Sequence, residues 1–196
     1  MSHDGRILLR EFLRDPLRVG AVAPSGRRLA TVLARVAPLG GHVIELGPGT
    51  GAVTEAIRRR EPERQLALEV NPRLAGLVAR RWPEIEVACA DAAELSQVLE
   101  ARDAGRADAV ISSLPWAVMP GDQQRAVMRA VQAALTDAGC FTTYAYVHAM
   151  WTPAARRLPR MLAAAFTRVT VSPVVWANMP PAVVYRAHGP RPEADR

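Results

Sequence analysis

His42-Val43-Ile44-Glu45-Leu46-Gly47-Pro48-Gly49-Thr50-Gly51 joins a short apolar run to a cluster of glycines. Gly40 and Gly41 bound it on one side, and residues 52–60 follow with helical spacing. An apolar run between turn signals reads as a buried parallel strand. Glycines, lacking Cβ atoms, let the next loop take strained angles and let a ligand lie against the main chain. Strand, glycine loop and helix together open a nucleotide-binding unit. Gly47, Gly49 and Ala52 also fit the dinucleotide spacing, whose third small position is Gly or Ala, so the glycines alone leave several nucleotide loops open.

Three acids narrow the choice. Glu45 ends the first strand, Glu69 closes the run 65–69, and Asp91 follows the run 85–90. In a doubly wound sheet those carboxyl ends line one crevice, the usual ligand site. On these residues the stretch resembles the E-x-G-x-G-x-G signature of class I methyltransferases that use S-adenosylmethionine. The resemblance implies that Glu45 and the loop Gly47, Gly49, Thr50 and Gly51 meet the amino-acid end of that cofactor. It implies further that Glu69, with Val70, takes the ribose hydroxyls, that Asp91, with Ala92, takes the adenine, and that Ser112 completes the set.

At 196 residues the chain is expected to form a single α/β domain, long enough to bury a full core. No run approaches the roughly 20 apolar residues of a membrane span, and no signal-peptide pattern opens the chain, so a cytoplasmic or peripheral location is expected. Cys89 and Cys140 lie in apolar strand-like runs without metal-ligand spacing, which predicts buried free thiols. With the histidines scattered, no metal is expected.

The formal charge is +6, and every basic residue is arginine. A guanidinium pairs with phosphate in two hydrogen bonds, which suits phospholipid or nucleic acid. Arg6, Arg10, Arg14 and Arg18 form a strict i, i+4 stripe, with Ile7, Leu8, Leu9, Phe12, Leu13 and Leu17 on much of the remaining face. Residues 1–20 thus read as a basic amphipathic helix of the kind that lies on anionic membranes, or as a helix packed on the sheet with a solvated arginine edge. Pro24 and Ser25 read as a turn and helix start, and this segment could fold over the cofactor as part of a lid.

Helices are predicted over 27–36, 52–60, 72–81, 93–101, 122–135 and 154–166, alternating with strands from His42 onward. That alternation demands a doubly wound, Rossmann-like parallel sheet with helices on both faces. The fifth strand is expected over 139–146, opening at Gly139. Strands over 168–175 and 182–186, joined by so short a connection, must be antiparallel. The expected fold is a seven-stranded, mostly parallel sheet with an antiparallel last strand, followed by a polar tail over 189–196.

The fourth strand, 108–113, ends in Leu114-Pro115-Trp116. Main-chain carbonyls and small side chains at such an end can hold an amino group while proline stiffens the turn. Phe12 through Ser25, 45–51, 112–115, Tyr146 and the run from Trp176 to Arg186 resemble the small bacterial phospholipid N-methyltransferases. Departures fall at Ser25-Gly26, at 113–117 and at 146–148. The resemblance implies stepwise methylation of phosphatidylethanolamine to phosphatidylcholine from the inner face of the cytoplasmic membrane. Candidate catalytic residues are Ser112 and Leu114 at the strand end, Trp116 offering an aromatic face to a cation, and Tyr146 or His148 positioning and deprotonating the amine. Expected partners are S-adenosylmethionine and an anionic lipid surface, with no nucleic acid. The rival readings are a methyltransferase for nucleic acid (of the rRNA adenine kind) or a small amine, and a non-catalytic membrane-binding module.

Overall fold

The computed structural model describes residues 26–152 and 156–192. The arginine-striped segment 1–20, the turn at Pro24 and Ser25, and residues 193–196 lie outside the described residues. In chain order the elements are α1 (Arg27–Ala34), β1 (His42–Leu46), α2 (Ala52–Arg58), β2 (Arg64–Leu68), α3 (Pro72–Arg81), β3 (Glu86–Ala88), α4 (Leu95–Glu100), β4 (Ala107–Ser112), α5 (Gly121–Ala134), β5 (Leu135–Tyr146), α6 (Arg157–Ala165), β6 (Phe166–Val171) and β7 (Ala182–Pro190). Short 3-10 turns occupy Ala92–Glu94 and Val147–Ala149.

One seven-stranded sheet runs in the order β3-β2-β1-β4-β5-β7-β6. Neighbours from β3 to β5 pair in parallel, and β7 pairs antiparallel with both β5 and β6. The carboxyl ends of β1 to β6 therefore share one edge with the beginning of β7. Alternation of side chains divides the core between the two faces. Ile44, Leu46, Val110 and Phe141 pack beneath α4, α5 and α6, whereas Val43, Ala109, Ile111 and Val184 pack beneath α1 and α2. Ala67 meets Val78, Trp82 and Ile85 under α3. That helix starts where its sequence directs: Asn71 caps it by accepting from the Arg73 and Leu74 N–H groups, with Pro72 at the first helical position.

Three expectations need correction. Cys89 is exposed, because the edge strand β3 stops at Ala88 and leaves it outside the sheet. Cys140 is buried as expected, and burial pushes its thiol up to about 12. Helix α5 passes straight into β5 at Leu135; pairing then jumps from Ala107 with Leu135 to Ala109 with Cys140, so Gly139 belongs to a bulge inside the strand and does not open it. Finally, β7 continues through Gly189 and Pro190. Arg191 anchors the following turn by donating from its N–H to the Ala165 carbonyl and from Nε to the Phe166 carbonyl, so the polar tail begins later than position 189.

Candidate cofactor and amine site

The loop after β1 is held at both ends. Gly47, with φ of +72°, donates its N–H to the Leu68 carbonyl at 2.9 Å, and a Cβ there would lie 3.1 Å from Leu114 Cδ2. Gly51, with φ of +90°, caps α2, and a Cβ there would run into the Trp82 ring. Gly51 is thus required by the protein's own packing, in keeping with the strained loop angles expected of these glycines. Glu69 gathers the strand ends: its Oε2 accepts from Gly49 N–H and its Oε1 from Asn71 N–H, each at 3.0 Å. Burial raises the Glu69 pKa, and these N–H groups oppose the rise.

Glu45 has a different environment. It is fully buried, and no hydrogen bond of normal geometry reaches either carboxylate oxygen. Thr54 Oγ1 and Gln65 Oε1 nearby are likewise buried without a partner, although Gln65 Nε2 donates to the Thr54 carbonyl at 3.2 Å. Desolvation drives the Glu45 pKa up to about 8; Glu69 adds to the rise and Thr54 tempers it. A buried, unpartnered carboxyl beneath a glycine loop suits an incoming ammonium, such as the amino-acid end of S-adenosylmethionine carries. Thr54 and Gln65 were missed from sequence, since Gln65 merely opens the apolar run 65–69 and Thr54 stands beside Glu55.

Asp91 caps the 3-10 turn Ala92–Glu94. Its Oδ1 accepts from Ala93 N–H at 2.9 Å, while Glu94 Oε2 accepts from Asp91 N–H at 3.1 Å. The second Asp91 oxygen is left for another donor. Val70 is exposed and Ala92 is buried. The three acids thus lie at the ends of three adjacent strands.

At the end of β4, Ser112 Oγ accepts from Leu114 N–H at 3.3 Å and from Trp116 Nε1 at 3.1 Å. Trp116 is only 2 % exposed and packs edge-on against Phe141. The expectation that its face receives a cation is corrected: the ring is part of the core, and its N–H fixes Ser112. Ser113 Oγ and Thr143 Oγ1 are buried without partners at the same strand ends, and neither was singled out from sequence.

Tyr146 is half-buried, edge-on to Tyr144 and stacked on the exposed His148 at 5.7 Å between ring centroids. The structure therefore brings Tyr146 and His148 together. By strand alternation Tyr146 shares the α1–α2 face with Glu45, and Ser112 and Trp116 pack on the other face. The buried Asn178 closes the rim: its Oδ1 accepts from Gly26 N–H at 2.8 Å, and its Nδ2 donates to the Pro180 carbonyl at 2.7 Å. Its position beside Pro180-Pro181 was the available sequence signal. Among the described residues no group of three His, Cys, Asp or Glu side chains is placed to hold a metal, and no helix is long and apolar enough to cross a membrane.

Fold, loop and acids together define a class I methyltransferase that uses S-adenosylmethionine. The methyltransferase domain family matches residues 43–139. An ornithine lipid N-methyltransferase from Singulisphaera acidiphila is 32 % identical over 142 residues, covering 69 % of this chain and 74 % of the relative. Among solved structures, N-methyltransferase NodS from Bradyrhizobium japonicum WM9, in complex with S-adenosyl-L-homocysteine, superimposes with a TM-score of 0.66 at 20 % identity, covering 97 % of this chain and all of that one. An rRNA methylase from Streptococcus thermophilus gives 0.60 at 15 % identity, covering 81 % and 93 %. The chain belongs to the lipid N-methyltransferase family of S-adenosylmethionine-dependent enzymes.

Proposed function

We propose that the enzyme methylates the primary amine of phosphatidylethanolamine, and then its mono- and dimethyl products, at an anionic membrane surface. The observation that carries this reading is the kinship with an enzyme named for acting on an amine-bearing lipid. When bound, S-adenosylmethionine supplies an electrophilic methyl group on a sulfonium.

In this reading Glu45 and the loop Gly47, Gly49, Thr50 and Gly51 hold the amino-acid end of the cofactor. Glu69 and Val70 hold the ribose, and Asp91 and Ala92 hold the adenine. Ser112, fixed by Trp116, and Leu114 shape the turn that faces the amine. A lipid amine has a lysine-like pKa near 10.4, so it must lose a proton before it can attack. Removal from water lowers that pKa, and Tyr146, backed by His148, positions the amine and accepts the proton directly or through water. The segment carrying Arg6, Arg10, Arg14 and Arg18 brings the site to the inner face of the cytoplasmic membrane.

Incubating the protein with labelled cofactor and vesicles of phosphatidylethanolamine, vesicles of ornithine lipid, or ribosomal RNA tests the reading. Label in phosphatidylethanolamine is the expected result. Label confined to ornithine lipid would reassign the substrate within lipids, and label in RNA alone would overturn the lipid reading.

A further inference from the structure

The inference rests on the lipid reading above and concerns the rim around the site. Four large apolar side chains stand in solvent at the edge where β4, β5 and β6 end. They are Val118 (71 % exposed), Trp151 (78 %), Trp176 (73 %) and Met179 (81 %). Val118 follows β4, Trp151 follows β5, and Trp176 and Met179 lie in the β6–β7 connection. These loops are joined to one another: Val147 N–H donates to the Pro181 carbonyl at 2.9 Å, and Met150 and Val174 pack against the same core as Leu114.

Burial of either tryptophan in a protein core is not what this placement achieves, because Trp82 and Trp116 already serve there. Tryptophan and methionine held out at a rim suit the headgroup zone of a bilayer, where an indole has both apolar and polar surroundings. Charge agrees. Residues 138–192 contain no Asp or Glu, and Arg156, Arg157 and Arg160 are exposed on or beside α6. Arg125 on α5 is exposed too, and its Nη1 and that of Arg157 converge on Gly121. Among the described residues none of these four arginines pairs with a carboxylate. Gly26, where the described chain begins, is bonded to Asn178 between Trp176 and Met179.

We infer that these loops form a docking face that seats Trp151, Trp176 and Met179 in the headgroup region of an anionic bilayer. The arginines of α5 and α6 meet lipid phosphates around it. Asn178, by accepting from Gly26 N–H, holds the first described residue at this same rim. The apolar rim supplies the part of the attachment that salt does not screen.

The test uses the full chain and vesicles of phosphatidylglycerol and phosphatidylcholine, which hold no amine substrate with a free hydrogen. Lipids brominated near the headgroup should quench the emission of Trp151 and Trp176. The double variant Trp151→Ser, Trp176→Ser should lose the quenching and bind vesicles about tenfold or more weakly, with the loss persisting at high salt. Its S-adenosylhomocysteine affinity should stay unchanged, which shows that it is folded. Equal vesicle binding by the variant would overturn the inference. So would absence of quenching in the parent protein, including the case in which acrylamide fails to reach Trp176 without lipid because residues 1–25 or a second copy cover the rim. Methylation of a short-chain, monomeric phosphatidylethanolamine separates the two claims: loss of that activity in the parent defeats the substrate reading, and its presence alongside unchanged vesicle binding by the variant defeats only the docking face.

Discussion

The indole N–H of Trp116 donates to Ser112 Oγ at 3.1 Å, and the same oxygen accepts from the Leu114 N–H. One hydroxyl thus sets both the end of β4 and the turn that follows it. Ser112→Ala leaves a buried indole N–H without an acceptor, which costs about 1–3 kcal/mol. The variant should unfold at correspondingly lower denaturant and turn over more slowly. Unchanged stability and turnover would show that the hydroxyl fixes nothing.

Glu45 makes stability depend on pH. Its pKa rises from the ordinary 4.5 to about 8 in the folded protein, chiefly through burial. Between those values the folded protein keeps a proton that the unfolded chain has released, so stability without cofactor falls as pH rises from 4.5 to about 8, by about 4 kcal/mol. An ammonium docking on Glu45 favours the ionised form, so cofactor binding near neutral pH should release protons. Calorimetry in buffers of different ionisation enthalpy reads that release directly. Glu45→Gln should flatten the fall in stability and abolish the release; the same slope in the variant would exclude Glu45 as its source.

Asp91 has a structural duty and a proposed binding duty that two substitutions separate. Asp91→Ser keeps a cap for the Ala92–Glu94 turn but is too short to reach an adenine, whereas Asp91→Ala loses the cap at about 0.5–2 kcal/mol. Both variants should bind S-adenosylhomocysteine more weakly, and only the alanine variant should be less stable. Parent-like affinity in the serine variant would leave Asp91 as a cap alone.

Tyr146 stacks on His148 at the end of β5, and the proposed reading gives it the amine. Tyr146→Phe preserves the stacking and removes the hydroxyl. Turnover should fall by about 10²-fold or more with little change in cofactor affinity, the scale expected for a group that handles a proton. An unaffected rate would remove the tyrosine from the chemistry.

Much of this architecture was legible because local signals agreed with one another. His42 to Gly51 is bounded by glycines, Asn71-Pro72 announces α3, and the short connection before Ala182 dictates an antiparallel return. Where signals were missing, the reading failed. No turn residue separates α5 from β5, so the apolar pattern crosses Leu135 unbroken and Gly139 was mistaken for the strand start. The site divides in the same way. Glu69 and Asp91 are placed by the strands that precede them, and strand ends can be read. The surroundings of Glu45 include Thr54 and Gln65 from two other elements, and the inward turn of Trp116 depends on a hydroxyl four residues away. Such contacts arise only once the sheet has assembled.

Methyl transfer itself is followed most directly by mass. The protein is incubated with S-adenosylmethionine carrying a deuterated methyl group and with phosphatidylethanolamine vesicles, and the extracted lipid is weighed over time. Sequential appearance of lipids bearing one, two and three labelled methyl groups is the predicted result. Phosphatidylethanolamine that stays unlabelled while the enzyme demonstrably binds S-adenosylhomocysteine would contradict the account.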